Sequence, residues 1–240
     1  MFSCSDKMDK NKIEILHMIE GAKQARGLTV IIDVFRAFSL ECFLYDLGAA
    51  EIRPVGSIEE SFEWRKRMPG CLLAGERKGK KCEGFDLGNS PSAALKMDLK
   101  GKTVIHTTSA GTQGIVNASG ASSIITGSLV NAAAIARYIK KEDPERVSIV
   151  AMGNGGVKPA AEDELCAEYI RSLLIDEPIE DIDRRIVDLR FRGGEHFFDP
   201  NDQDVFPEAD FHLCARRDIF DFVIEVKKDA LGFYTEKIEC

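Results

Sequence analysis

Four polar clusters in the chain carry the residue types of a site that handles anions or a metal ion, and each follows a short apolar run. The first is Asp33-Val34-Phe35-Arg36, a carboxylate followed three residues later by a guanidinium. Such a pair can join a metal ligand or nucleophile to an anion clamp; it can also be a surface ion pair or a capping aspartate. The second opens the stretch Gly75–Pro91: Glu76 and Arg77, then Lys78, Lys80 and Lys81 around Gly79, and later Asn89 and Ser90. Loops without internal structure rarely exceed about 12–15 residues in compact domains unless they are functional or disordered. The third, His106-Thr107-Thr108-Ser109-Ala110-Gly111-Thr112, supplies four hydroxyls where an ordinary helix cap uses one. Hydroxyls and free backbone N–H groups at a helix start suit phosphate, sulfonate or carboxylate. The fourth is Gly153-Asn154-Gly155-Gly156-Val157-Lys158-Pro159, with Glu162, Asp163 and Glu164 beyond it.

Several familiar phosphate chemistries fail at defined positions. A P-loop needs four residues between its glycines and a hydroxyl after its lysine. Here three residues separate Gly75 from Gly79, and Lys81 follows Lys80. A dinucleotide fingerprint starting at Gly153 needs glycine at position 158, which is Lys158. An aspartyl-phosphate enzyme of the haloacid-dehalogenase kind wants Asp-x-Asp, and position 35 is Phe. The acids at 162–164 would be favoured in the first turn of any helix by its macrodipole. A hard cation such as Mg2+, however, needs carboxylate oxygens near a phosphate. Glu162 and Asp163 are then the next source after Asp33 and Glu76. His106 reads as structural.

An anion site of this kind must be locally positive, because the 240-residue chain has a net charge of −8. That balance argues against nucleic acid and anionic membrane as partners, which demand a basic surface. No apolar run is long enough to cross a bilayer. The seven cysteines form no C-x-x-C pair and are odd in number, which suits reduced thiols in a cytoplasmic protein. Residues 1–11 read as a polar extension with no signal-peptide core. A homo-oligomer is compatible with all of this.

The elements that must position the clusters alternate. Strands are expected at Ile13–His17, Thr29–Val34, Glu51–Val55, Cys71–Ala74, Thr103–Ile105, Ser123–Thr126 and Val147–Met152. Helices are expected at Ser39–Leu47, Ser57–Met68, Gly111–Ala118, Leu129–Lys140 and Pro159–Leu174. Ser57-Ile58-Glu59-Glu60 is a capping-box pattern. Beyond Asp176 the alternation weakens: Asp183–Arg190 reads as helical, Gly193–Asp204 as a polar loop and Phe220–Val226 as an edge strand. The pattern predicts a three-layer α/β/α fold, a mixed but largely parallel sheet with helices on both faces, forming a single catalytic unit over 1–240 with room for a two-lobed division near 120–145. Ligands of such sheets bind beyond the carboxyl ends of the strands.

The chain resembles the 2-phosphosulfolactate phosphatase family in Val30–Ser39 (VIIDVFRAFS), Ala74–Pro91 (AGERKGKKCEGFDLGNSP), Thr107–Thr112 (TTSAGT), Gly127–Ala134 (GSLVNAAA) and Gly153–Ala167 (GNGGVKPAAEDELCA). The resemblance implies a Mg2+-dependent hydrolase that removes phosphate from 2-phospho-3-sulfolactate, giving sulfolactate on the way to coenzyme M. Read together, residues and resemblance assign Asp33, Arg36, Glu76 and Arg77 as catalytic. Asp33, Glu76, Glu162 and Asp163 are assigned as ligands of Mg2+ or supports of its ligands. Thr107, Thr108, Ser109, Gly111, Thr112, Asn89 and Asn154 are assigned as contacts to a small anionic substrate. Direct attack by water and a phospho-Asp33 intermediate both fit this set. The competing readings are a phosphatase of another small 2-hydroxy-acid phosphate and a non-catalytic small-anion-binding protein.

Overall fold

The computed structural model describes residues 7–240, so residues 1–6 of the expected polar extension lie outside the described residues. The strands are β1 (Ile13–His17), β2 (Gly27–Ile32), β3 (Glu51–Pro54), β4 (Leu72–Arg77), β5 (Lys80–Lys81), β6 (Thr103–Thr107), β7 (Ala121–Gly127), β8 (Val147–Ala151), β9 (Phe222–Asp229) and β10 (Gly232–Glu239). They form one sheet in the order β1-β8-β2-β7-β9-β10-β3-β6-β4-β5. Two parallel blocks, β1-β8-β2-β7 and β3-β6-β4, are joined by the antiparallel hairpin β9–β10.

Helices cover both faces, giving the expected three layers. They are α1 (Met18–Gln24), α2 (Ala37–Asp46), α3 (Ile58–Arg67), α4 (Pro91–Ala94), α5 (Gly111–Asn117), α6 (Ala132–Glu142), α7 (Ala161–Leu174), α8 (Ile182–Asp188) and α9 (Glu208–Cys214). Side chains alternate across a strand, and β2 uses both sides: Val30 and Ile32 pack with Ile135, Ile139 and Ile170 of α6 and α7, while Ile31 packs with Ala22 and Ile115 of α1 and α5. In the other block Ile52 and Val104 meet Leu40 and Leu44 of α2, and Leu73 and Ile105 meet Trp64 of α3.

Helix α2 determines how the sheet bends. Its sequence AFSLECFLYD has no polar face, and every residue from Ala37 to Tyr45 is buried. A helix apolar all round must be surrounded. The sheet curls to do so. Five strand spacings separate β2 from β6 in the order above, about 24 Å along a flat sheet. Yet Gly111 N–H, just past β6, donates to Asp33 Oδ2, just past β2, at 2.8 Å. Inside the curl the Tyr45 hydroxyl donates to Thr235 O on β10 at 2.6 Å.

Three expectations need correction. Phe220–Val226 is not an edge: β9 lies between β7 and β10, where the β9–β10 hairpin pairs antiparallel with the free edge of each parallel block. The buried run Phe222–Val226 is the mark of a strand covered on both faces. Gly75–Pro91 is not one loop, since β4 continues through Arg77 and turns through Lys78-Gly79 into β5. Gly193–Asp204 is not simply polar: Glu195–Phe198 forms a turn of 3-10 helix with Phe197 wholly buried.

Candidate active site

The curl brings the ends of β2, β4, β6 and β8 to one cleft of about 780 Å3. Asp33, Arg36, Glu76, Asn89, Ser109, Asn154, Glu162 and Asp163 all line it. Three of the four carboxylates are held by backbone donors. Asp33 Oδ2 accepts from Gly111 N–H, and its Oδ1 from Ala37 N–H at 3.3 Å. Glu76 Oε1 accepts from Ser109 N–H at 2.7 Å and Oε2 from Gly79 N–H at 2.8 Å. Asp163, in the first turn of α7, accepts from Val34 N–H and Gly153 N–H, both at 2.8 Å, and so fastens the β2 end to the β8 end.

Four carboxylates in one buried cleft repel one another. Burial, with the Glu76 charge behind it, pushes the Asp33 carboxyl up to about 6. Burial, then the Asp33 and Glu195 charges, pushes Glu162 up to about 7. Asp163 rises well above the usual range through burial and the charges of Asp33 and Glu162. Glu162 Oε2 is buried without a hydrogen-bond partner.

This donor set fits a hard divalent cation: every side chain offers oxygen, the charge is uncompensated and one buried oxygen lacks a donor. Among the described residues no three acidic, histidine or cysteine side chains converge at full ligand spacing. Mg2+ commonly uses one or two carboxylates and completes its shell with water and substrate phosphate.

The repulsion has a consequence for stability. Asp33 and Glu162 have folded values above their ordinary 3.8 and 4.5. Their contribution is therefore complete below about pH 4 and is lost as pH rises through 6 to 7, at about 1.4 kcal/mol per group per pH unit. The metal-free protein in EDTA should melt about 5–10 °C lower at pH 8 than at pH 5.5. Glu162→Gln should flatten that slope. A melting temperature that is level or rising over this range would refute the repulsive cluster.

Other candidates are engaged by partners within the protein. Arg36 is 3% exposed and largely committed: Nη1 donates to Asp210 Oδ2 and to Val205 O, and Nη2 to Gly79 O, each at 2.9 Å. Its guanidinium lies over the Phe197 and Phe206 rings. Arg77 turns from the cleft, donating to Thr107 Oγ1 at 3.0 Å and to Glu76 O at 2.7 Å. Thr108 and Thr112 cap each other, each backbone N–H donating to the other's hydroxyl. These hydroxyls build the turn that presents Ser109 and Gly111. His106 is buried against Glu41, with 2.8 Å between Nδ1 and Oε1.

Lys78, Arg192, His196 and Phe206 also line the cleft; Lys78 belongs to the second sequence cluster, and the other three were not among the sequence-based candidates. Three of them come from the segment beyond α8, where alternation fails. The signal available there was aromatic density, with Phe197, Phe198 and Phe206 in a stretch otherwise rich in loop-forming residues.

Comparison with known proteins gives the family. The profile of the family described as 2-phosphosulpholactate phosphatase matches residues 14–229. A probable 2-phosphosulfolactate phosphatase of Carboxydothermus hydrogenoformans is 40% identical over 168 residues, covering 69% of this chain and 68% of its own. Another from Caldicellulosiruptor saccharolyticus is 36% identical over 214 residues, covering 82% and 88%. A third, from Bacillus subtilis, is 31% identical over 208 residues, covering 84% and 88%. With the profile spanning nearly the whole chain and the cleft drawn from strands across it, the chain belongs to the 2-phosphosulpholactate phosphatase family, a family of phosphoric monoester hydrolases.

Proposed function

We propose that the protein hydrolyses 2-phospho-3-sulfolactate to sulfolactate and phosphate with the help of Mg2+. The observation that carries the reading is the meeting of Asp33, Glu76, Glu162 and Asp163 in one cleft, with Glu162 Oε2 left without a donor. These four residues would hold Mg2+ directly or through water, and the ion would supply charge neutralisation for the phosphoryl group. The chain's own part is positioning. Phosphoryl transfer needs little covalent help beyond alignment and charge stabilisation. Residues Ala160 and Ala161 at the start of α7 line the cleft, so the positive end of that helix faces the substrate. Asn89 and Ser109 line the same cleft, and the Ser109 hydroxyl donates to Glu76 Oε2 at 3.2 Å, holding that carboxylate in place. In the net reaction the bond from phosphorus to the ester oxygen breaks, water supplies an oxygen and a proton to the released phosphate, and its other proton ends on the sulfolactate hydroxyl; direct attack by water and attack through Asp33 give the same balance.

Phosphate release from 2-phospho-3-sulfolactate, phosphoglycolate and phospholactate, each with Mg2+ and with EDTA, tests this reading. The highest kcat/KM should belong to phosphosulfolactate, and EDTA should lower it at least a hundredfold. Undiminished turnover in EDTA would remove the metal, and a clear preference for phosphoglycolate or phospholactate would replace the substrate.

A further inference from the structure

Four basic side chains line the cleft: Arg36, Lys78, Arg192 and His196. Two of them are spent. Arg36 is neutralised by buried Asp210 and engaged by two carbonyls. His196 has its basicity lowered by burial and by the Arg36 charge, and its ring packs on Phe197 and Phe206. Lys78 and Arg192 are exposed, and among the described residues neither makes a side-chain hydrogen bond or ion pair. They are free cations on the rim of a cleft whose floor carries four carboxylates.

Their backbones are held in place. Lys78 and Gly79 have φ of 54° and 79° and form the two-residue turn between β4 and β5. A turn with positive φ at both central positions favours Asn or Asp followed by Gly. A lysine at its first position goes against that preference, and such an outlier points toward function. The turn is gripped on both sides, with Gly79 N–H donating to Glu76 Oε2 and Gly79 O accepting from Arg36. The same Arg36 holds Val205 O, and Phe206 packs so closely on Gly79 that a Cβ there would overlap its Cζ. One guanidinium thus clips the segment that carries Arg192 onto the turn that carries Lys78. Gly193, next to Arg192, faces the cleft floor, since a Cβ on it would lie 3.1 Å from Glu162 Oε2.

We propose that Lys78 and Arg192 are the specificity-determining cations of the cleft, clamping the acid groups that the substrate carries in addition to its phosphate. The proposal rests on the function given above and deepens it. A sulfonate and a carboxylate brought over four carboxylates would be repelled without cations placed beside them. The planar fork of Arg192 can take either group with two parallel hydrogen bonds, and Lys78 supplies a compact point charge. A phosphate ester lacking the second and third acid groups would leave both cations unused.

Calorimetric titration with sulfolactate, and separately with inorganic phosphate, tests the clamp in the presence of Mg2+. The proteins compared are wild type, Lys78→Gln, Arg192→Gln, the double variant and Arg192→Lys. Both positions are exposed, and thermal melts of each variant confirm folding. Each single variant should bind sulfolactate at least tenfold more weakly and the double variant about a hundredfold, with Arg192→Lys recovering part of the loss. Phosphate affinity should change less than threefold. Sulfolactate binding within twofold of wild type, an equal loss for phosphate, or no sulfolactate binding by wild type would each overturn the clamp. The functional reading fails on a different measurement, phosphate release by wild type, so the two failures are distinguishable.

Discussion

Asp33→Asn should lower kcat on phosphosulfolactate by at least a thousandfold while leaving the protein folded. That factor corresponds to about 4 kcal/mol of transition-state stabilisation. Asp33 sits where the β2 end, the α2 start and the α5 start meet, and both of its oxygens are fixed by backbone N–H groups. An asparagine keeps the shape and can still accept from Gly111, but it removes a charge that acts on each of the other three acids. Relief of repulsion should make the variant more stable than wild type at pH 8 in EDTA. At pH 5.5, where Asp33 is largely protonated, it should lose slightly, because its amide meets Ala37 N–H. This is the usual opposition between activity and stability at a preorganised site. Steady-state kinetics with melts at both pH values check it. Activity within tenfold of wild type would remove Asp33 from the chemistry, and a uniform loss of stability at both pH values would mean it acts only as a structural cap.

The contrast between Asp33 and Thr108 explains how much of this site was legible in the sequence. Asp33 and Glu76 could be nominated because they stand at strand ends readable from short β-branched runs, and Asp163 because a hard cation near a phosphate needs further carboxylate oxygens. The threonines of TTSAGT were nominated on the same logic, but Thr108 and Thr112 spend their hydroxyls on each other. Residue type alone cannot separate a donor aimed at a ligand from one consumed by the turn. Parallel pairing within each block follows from the alternation, whereas the place of β9 and β10 does not. Their position is fixed by which block edges lack partners, a property of the assembled sheet. Arg192 escaped notice for a related reason, and Lys78 stood in its cluster without a role of its own. Their significance comes from the absence of partners and from the curl around α2 that sets distant segments face to face.

The largest stability effect should come from the Arg36–Asp210 pair. Both side chains are essentially buried, at 3% and 0% exposure, and lie 2.9 Å apart. Asp210 Oδ1 also accepts from Ser90 Oγ at 3.0 Å and from Ser92 N–H at 2.8 Å, at the start of α4. Asp210→Ala therefore leaves a buried guanidinium unneutralised and two donors unpaired. Removing one partner of a buried pair costs about 3–5 kcal/mol, so the melting temperature should fall by about 6–20 °C for a chain of this length. Replacing both partners with apolar groups of similar volume, Arg36→Met with Asp210→Leu, should restore much of that loss, because no charge is then stranded. Activity should not return with it. Without Arg36 the carbonyls of Gly79 and Val205 are no longer tied together, and the turn bearing Lys78 is free of the segment bearing Arg192. The double variant should show a raised KM for phosphosulfolactate at near-native stability. A melting temperature within 2 °C of wild type for Asp210→Ala, read by calorimetry, would show that the pair is not the clip described. A double variant that regains native KM would separate the clip from substrate recognition.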